Sequence, residues 1–138
     1  MAVIRDAQAR RIETPNGVMT TLASPTQGAA GQAMWRVDAT PGMAGPVHAF
    51  DGESVWTWLA GAGTVDLGGE RFELAAGDTM VLPAHVTRRM FADPEHGFAA
   101  IVTAPAGIQV YNQEGLAAPG ACDLVPEGTV RMPLPWAQ

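Results

Sequence analysis

The sequence has few charged residues, a single cysteine and no long apolar run. Charged residues make up 16% of the 138 residues and hydrophobic residues 47%, which excludes global disorder and favours a packed core. Cys122 has no partner for a disulfide within the chain. No segment approaches the roughly 18 apolar residues that a membrane-spanning helix needs, and the N-terminus lacks the apolar core of a signal peptide. We therefore expect a cytoplasmic protein that has no membrane partner.

Basic residues are also scarce, since 8 of them stand against 14 acidic residues and give a formal charge of −6. A surface with this balance repels phosphate backbones, so nucleic acid is not an expected partner.

Glycine and proline are abundant, with 16 and 11 residues, and they divide the chain into short apolar segments. Such punctuation favours strands and tight turns over helices. The pattern predicts ten strands, at residues 18–23, 33–38, 47–50, 54–59, 63–67, 70–74, 79–82, 87–92, 98–103 and 107–111. Many short strands with tight turns are typical of an all-β sandwich or barrel.

The chain divides into a regular centre and two irregular arms, all within one domain. Residues 1–32 are interpreted as an N-terminal arm and edge strand, with weak helix evidence at residues 4–12. Residues 33–105 form the barrel core, in which Gly68 and Gly69 supply the positive φ angles of a two-residue hairpin turn. Residues 106–138 comprise a C-terminal strand and a Pro-rich tail, the latter without regular structure.

Two motifs in the centre carry a specific resemblance. In "GMAGPVHAFDGESVWTWLAG", Gly42 and Gly61 bracket His48, Phe50 and Ser54. This arrangement resembles the first motif of the cupin superfamily, small β-barrels of the jelly-roll type, which reads G-x5-H-x-H-x3,4-E-x6-G. The glycines and the first histidine match, whereas phenylalanine and serine replace the second histidine and the glutamate.

The second motif of that superfamily, G-x5-P-x-G-x2-H-x3-N, is matched in the same partial way. Gly77 and Pro83 stand at the positions that shape the barrel, and His85 stands where the superfamily prefers glycine. Arg88 replaces the last metal-ligating histidine and Ala92 replaces the asparagine. The resemblance covers residues 33–104 and implies a cupin-type jelly-roll β-barrel.

In metal-bearing cupins, three histidines and a glutamate converge on a divalent ion inside the barrel. Here the resemblance retains His48 alone, and one imidazole is too few donors for such an ion. Arg88 has no lone pair to donate and repels a cation. We therefore expect no metal and no other cofactor. The alternative is a non-standard metal site built from His48, Glu53 and His85.

Strand alternation and the resemblance together predict what faces the barrel interior instead. His48, Arg88 and Glu53 are the candidate catalytic residues: a general acid or base, an oxyanion or carboxylate clamp, and a secondary acid or base. The predicted substrate-binding residues are Phe50, Ser54, Trp56, Trp58 and Met90. An inward Arg88 needs an anionic partner, either Asp51 or Glu53 from the loop or a bound ligand.

The same residues also have a purely structural interpretation. Trp56 and Trp58 can fill the barrel interior as core, and His48 can be a satisfied structural histidine. Trp35 and Trp136 are expected to pack outside the barrel or in a subunit contact. His96 is expected to be exposed.

Three functions follow from these alternatives. The first is a small-molecule enzyme of the isomerase, cyclase or lyase type, acting without a metal on an aromatic or polyketide-like substrate. The second is a non-catalytic binding or sensor module, and the third is a metal-dependent cupin enzyme with the non-standard ligands. A homodimer is expected, with residues 18–23 as a candidate for strand exchange.

Overall fold

A computed structural model describes residues 2–28, 30–112 and 131–138. In these ranges it has eleven β-strands and two 3₁₀ turns, Asp6–Gln8 and Pro135–Ala137, and no α-helix. The strands are β1 (Arg10–Thr14), β2 (Gly17–Ala23), β3 (Gln32–Ala39), β4 (Ala49–Phe50), β5 (Ser54–Leu67), β6 (Glu70–Ala75), β7 (Thr79–Leu82), β8 (Arg88–Ala92), β9 (Phe98–Pro105), β10 (Gln109–Tyr111) and β11 (Met132–Pro133). The predicted all-β, jelly-roll class is confirmed.

The strands form two antiparallel sheets. The larger runs in the order β1-β2-β3-β9-β5-β6, with β7 and β8 also paired to β5. The smaller has the order β11-β10-β4. The predicted strand at residues 18–23 corresponds to β2, which lies inside the larger sheet because β1 pairs with its outer side.

The long strand β5 replaces two predicted strands and serves both halves of the larger sheet. Its first half pairs with β7 and β9, and its second half pairs with β6 and β8. The register against β9 shifts between Trp58 and Ala60, and Gly61 follows with φ of +71°. A bulge of this kind bends a strand and moves its inward side chains by one residue. The buried positions accordingly change from Trp56 and Trp58 to Gly63 and Val65.

Alternation along the other strands puts their apolar residues on one face. In β3, Ala33, Trp35, Val37 and Ala39 are buried while the residues between them are more exposed. These side chains join a core that includes Trp56 and the other inward side chains of β5 and β9. This face carries the residues of the candidate site.

The predicted hairpin turn is confirmed, since Leu67 pairs with Glu70 across Gly68 and Gly69, which have φ of +55° and +89°. None of the helical segments in the described ranges is long and apolar enough to cross a membrane.

Both arms contain structure that the sequence pattern missed. The weak helix evidence at residues 4–12 does not correspond to an α-helix. The segment contains a single 3₁₀ turn and the first residues of β1, whose side chains alternate in exposure as they pair with β2. The tail is not irregular throughout, because β11 and the second 3₁₀ turn lie within it. Trp136 and Ala137 belong to this turn and are buried. Residues 113–130, which include Cys122, lie outside the described ranges.

We predict that Gly61→Ala lowers the free energy of unfolding by about 3 kcal/mol. A Cβ at Gly61 would lie 2.1 Å from the Gly97 carbonyl oxygen, and the backbone there has a positive φ. The control is Gly69→Ala, at a positive φ with open space around the Cβ, where about 1 kcal/mol is expected. Urea unfolding measures both, and equal losses would show that β5 does not require the close approach at Gly61.

Candidate functional site

A cavity of about 370 Å³ lies among the inward side chains of the sheets and the turn between β1 and β2. Its wall is mostly apolar and aromatic, with Trp35, Phe50, Trp56, Met90, Phe98 and Trp136. The titratable residues of the wall are His48, Arg88 and Arg89. A cavity of this size and composition is typical of a small-molecule site.

Arg88 is the buried cation of this cavity, since its side chain is only 4% exposed. Its guanidinium carbon lies 3.4 Å from the centroid of the Phe50 ring and 5.5 Å from that of Trp56. Its Nη1 donates to Ser54 Oγ at 3.0 Å, and Trp56 Nε1 donates to the same oxygen at 3.1 Å. Two aromatic faces and a serine thus hold the guanidinium in place.

No carboxylate neutralises Arg88 within the described residues. Its Nε is buried without an acceptor there, and the cavity wall includes no Asp or Glu. Asp51 instead accepts from the Gln109 amide at 2.7 Å and lies 3.5 Å from Arg131 Nη1, and Glu53 is exposed. Neither of the two loop carboxylates that the sequence suggested as partners of Arg88 therefore pairs with it. Burial lowers the pKa of Arg88 to about 9.

His48 lies directly opposite Arg88 in an antiparallel bridge. The His48 amide donates to the Arg88 carbonyl at 3.1 Å, and the Arg88 amide donates to the His48 carbonyl at 2.8 Å. Strand geometry therefore places the two side chains on the same face. Burial, with a smaller contribution from the Arg88 charge, lowers the pKa of His48 to about 3, so its imidazole is neutral at pH 7. Its Nδ1 has no partner among the described residues.

The four positions that hold metal in the cupin superfamily do converge, but their side chains do not fit a metal. Phe50 and Ser54 both contact Arg88, and His48 is bridged to it. One imidazole and one hydroxyl beside a guanidinium form a poor donor set for a divalent cation. The described residues include no group of three or more His, Cys, Asp or Glu that could hold a metal ion.

The alternative metal ligands are not brought together. Glu53 is exposed at the loop before β5, and His85 is exposed on a turn with φ of +65°. His85 Nδ1 is 2.8 Å from the Tyr111 hydroxyl, and its backbone amide donates to the Phe50 carbonyl. Neither Glu53 nor His85 lines the cavity. His96 is exposed, as expected.

The structure brings together most of the predicted site residues. His48, Phe50, Trp56, Arg88 and Met90 line the cavity. Ser54 lies behind its wall as a fully buried hydrogen-bond acceptor, and Trp58 packs in the core against Phe98, with ring centroids 5.3 Å apart.

Sequence reasoning missed another part of the cavity wall, which Trp35 and Trp136 form. Trp35 and Trp136, expected outside the barrel, are 1% and 7% exposed and line the cavity. The alternation of β3 contained the signal for Trp35, because Ala33, Trp35 and Val37 occupy one face. Trp136 has no comparable signal, because it follows a Pro-rich tail and reaches the cavity through long-range contacts.

Known proteins resemble this chain in structure. No protein-family model matches the sequence, and no curated protein does. The polyketide cyclase RemF from Streptomyces resistomycificus superposes with a TM-score of 0.69 at 18% identity, over 81% of this chain and 84% of RemF. KdgF from Halomonas sp. gives a TM-score of 0.64 at 19% identity, over 76% of this chain and 94% of KdgF.

A variant of oxalate decarboxylase from Bacillus subtilis gives a TM-score of 0.65 at 15% identity. The match covers 73% of this chain and 28% of the decarboxylase, so this chain spans less than a third of that protein. The three neighbours are cupin-fold proteins, and the chain has the cupin fold. At these identities the likeness concerns the fold.

We predict that Arg88→Met stabilises the ligand-free protein by about 2 kcal/mol, because it removes a buried charge that has no counter-charge among the described residues. The lost contacts with Phe50 and Ser54 oppose part of this gain. The control is Arg71→Met, an exposed arginine paired with Asp66 at 2.7 Å, for which stability should change little. Denaturant unfolding compares them, and a clear loss for Arg88→Met would show that the charge is compensated.

We predict a pH dependence that belongs to His48. Its pKa is about 3 when folded and near 6.5 when unfolded, so the unfolded chain binds the extra proton between these values. The free energy of unfolding therefore rises by about 1.4 kcal/mol per pH unit between pH 3 and pH 6.5 through His48 alone. This contribution of His48 is complete above pH 6.5. His48→Gln removes this slope, whereas His96→Gln, on an exposed turn, does not. Unfolding curves from pH 4.5 to 7.5 that stay parallel for wild type and His48→Gln would contradict the burial of the imidazole.

Proposed function

We propose that this chain is a cupin enzyme of the isomerase, cyclase or lyase type, acting without a metal on an aromatic or polyketide-like substrate that carries an anionic oxygen. The observation that carries the proposal is the buried Arg88, which has no carboxylate partner among the described residues and faces an aromatic cavity. A carboxylate, enolate or phenolate oxygen supplies the missing counter-charge.

The shape of the cavity favours a planar apolar substrate. Trp35 and Trp56 both line it, and Val102 lies between them in the register of β3, β9 and β5. The backbones that carry the two indoles are thus separated by two strand spacings, about 10 Å, with a small side chain between them. Aromatic rings pack against indoles with centroids about 4.5–7 Å apart, so a flat ring system that extends across these strands can contact both indoles.

The proposed chemistry is proton transfer next to a carbonyl. Neutral His48 takes a proton from the carbon beside the carbonyl, and the electron pair of that C–H bond moves onto the oxygen, which Arg88 holds as an enolate. Return of the proton at another carbon is isomerisation, attack of the enolate on a second carbonyl is cyclisation, and expulsion of a leaving group is elimination.

An anionic substrate also offsets the smaller of the two causes of the weak basicity of His48, while the larger cause, burial, remains. The charge of Arg88 contributes to the low pKa of this histidine, and an anion beside Arg88 offsets that charge. The pKa of His48 therefore rises when the substrate binds. Glu53 has no part in this mechanism, because it is exposed away from the cavity wall.

The neighbours lend support at the level of the fold. RemF is named as a polyketide cyclase, and its fold covers most of this chain. The predicted homodimer and cytoplasmic location are part of the proposal as expectations.

A non-catalytic binding module is the second candidate. Its support is that His48 has a pKa of about 3 and that the described residues of the cavity wall include no second general acid or base apart from the arginines. Such a module binds the same anionic aromatic ligand through Arg88 and leaves it unchanged.

The test uses 3-oxo-3-phenylpropanoate, an aromatic ketone with a carboxylate, and follows exchange of its C2 protons into deuterium oxide by NMR. We expect wild type to accelerate exchange, His48→Ala to lower the accelerated rate by about a hundredfold with binding retained, and Arg88→Met to lose binding. His96→Gln serves as the control and should behave like wild type.

The outcomes separate the candidates. Binding without acceleration, unaffected by His48→Ala, supports the binding module. Loss of exchange on treatment with a chelator, with recovery on adding a divalent metal, contradicts the metal-independent proposal. Equal binding by wild type and Arg88→Met contradicts the anion clamp.

A further inference from the structure

We infer that Trp136, in the C-terminal segment of residues 132–138, closes the end of the cavity opposite Arg88 and thereby sets the length of the ligand. The inference rests on the proposed function, because it takes Arg88 as the anchor of the anionic oxygen. It assigns a specificity-determining role to a residue outside the two cupin motifs.

Trp136 is a fixed part of the wall. It is 7% exposed, lines the cavity, and follows Leu134, which is fully buried. Its backbone oxygen accepts from the Thr21 hydroxyl at 2.7 Å in the protein interior. Its segment packs against β1, β2 and β3.

The chain beyond Trp136 is tied to the same side of the molecule. The backbone oxygen of Gln138 accepts hydrogen bonds from Arg10 Nη2, Ser24 Oγ and Thr26 Oγ1. With the Thr21 contact, four hydrogen bonds hold residues 136–138 on β1, β2 and the loop after β2. The backbone that carries the indole is thus positioned by long-range bonds at Trp136 itself and two residues after it.

The distance between this segment and Arg88 follows from one row of paired residues across the sheet. Thr21 pairs with Trp35, Trp35 with Val102, and Val102 with Trp56, and all four are buried on the same face. Three strand spacings therefore separate Thr21, which bonds Trp136, from Trp56, which contacts Arg88: about 14 Å along the sheet. When the van der Waals radii of the groups at the two ends are subtracted from this distance, a length of about 10 Å remains for the ligand. This length accommodates about two or three fused rings.

The indole nitrogen of Trp136, like that of Trp58, makes no hydrogen bond to a described residue that would explain a tryptophan at this position. Trp136 Nε1 is buried without an acceptor among the described residues. A buried N–H that makes no hydrogen bond is destabilising, whereas phenylalanine has no such group. What tryptophan supplies here is the area of its ring, which forms the end wall of the cavity.

The ligand class that follows is a fused aromatic or polyketide-like molecule with its anionic oxygen at one short end. Its rings lie beside Trp35 and Trp56, and its far edge contacts Trp136. Longer molecules are excluded by contact with this indole.

The test crosses ligand length with ligand charge, using benzoate, naphthalene-2-carboxylate and anthracene-2-carboxylate together with the three matching carboxamides. Calorimetry measures binding to wild type, Trp136→Leu, Trp136→Phe and Arg88→Met. The matched control is Trp58→Leu, because Trp58 is also buried and its Nε1 also lacks an acceptor among the described residues, but it does not line the cavity.

We expect wild type to prefer the naphthalene ligand. Trp136→Leu should shift the ratio of anthracene to naphthalene affinity at least tenfold toward anthracene, and Trp136→Phe should shift it less in the same direction. Trp58→Leu should leave the ratio unchanged. Where Trp136→Leu fails to fold, as judged by thermal unfolding, the ratio measured for Trp136→Phe decides the question.

The charge arm distinguishes failure of the inference from failure of the proposed function. A carboxylate preference that disappears in Arg88→Met, with an unchanged length ratio in both folded Trp136 variants, overturns the role of Trp136 and leaves the anion clamp intact. A length ratio that responds to Trp136, with no preference of wild type for carboxylates over carboxamides, overturns the clamp and keeps the end wall. Failure of wild type to bind any of the six compounds overturns both.

Discussion

The bend in β5 is the constraint on which the rest of the structure depends. This strand pairs with β7 and β9 before the bend and with β6 and β8 after it, so one chain segment links both halves of the larger sheet. The bulge after Trp58 shifts the inward residues by one position, and the backbone at Gly61 approaches Gly97 too closely for any side chain. Since β5 also carries Ser54 and Trp56, the bend that shapes the fold also places part of the site.

The apolar character of the cavity has opposite effects on ligand binding and on the stability of the protein. Aromatic walls and burial make it a favourable place for an apolar ligand, and they also make it an unfavourable place for the charge of Arg88. Phe50 and Ser54 stabilise the guanidinium only in part, since its charge stays without a counter-ion in the described residues. An anionic ligand relieves the same penalty that destabilises the empty protein. Stability and ligand binding are therefore opposed at this residue, as is common at functional sites.

The residues that replace the metal ligands of the cupin motifs are suited to binding an anion. Phe50, Ser54 and Arg88 replace three metal donors, and in the fold each of the first two contacts the third. The positions that would surround an ion surround a guanidinium instead, and this permanent cation belongs to the chain. His48 faces the same cavity and is neutral at pH 7, because burial and this cation disfavour its protonated form.

The sequence by itself determined the all-β class and the Gly68-Gly69 hairpin, because alternation and turn chemistry act over a few residues. The inward set of His48, Phe50, Trp56, Arg88 and Met90 followed from alternation together with the resemblance to the cupin motifs. Only the tertiary structure decided that Asp51 and Glu53 lie away from Arg88, that two predicted strands are the single strand β5, and that residues 4–12 do not form a helix. It also decided that Trp136 reaches the cavity, through its bond to Thr21, 115 residues earlier in the chain. Contacts of that separation leave no local pattern, since they depend on how whole strands and tails pack together.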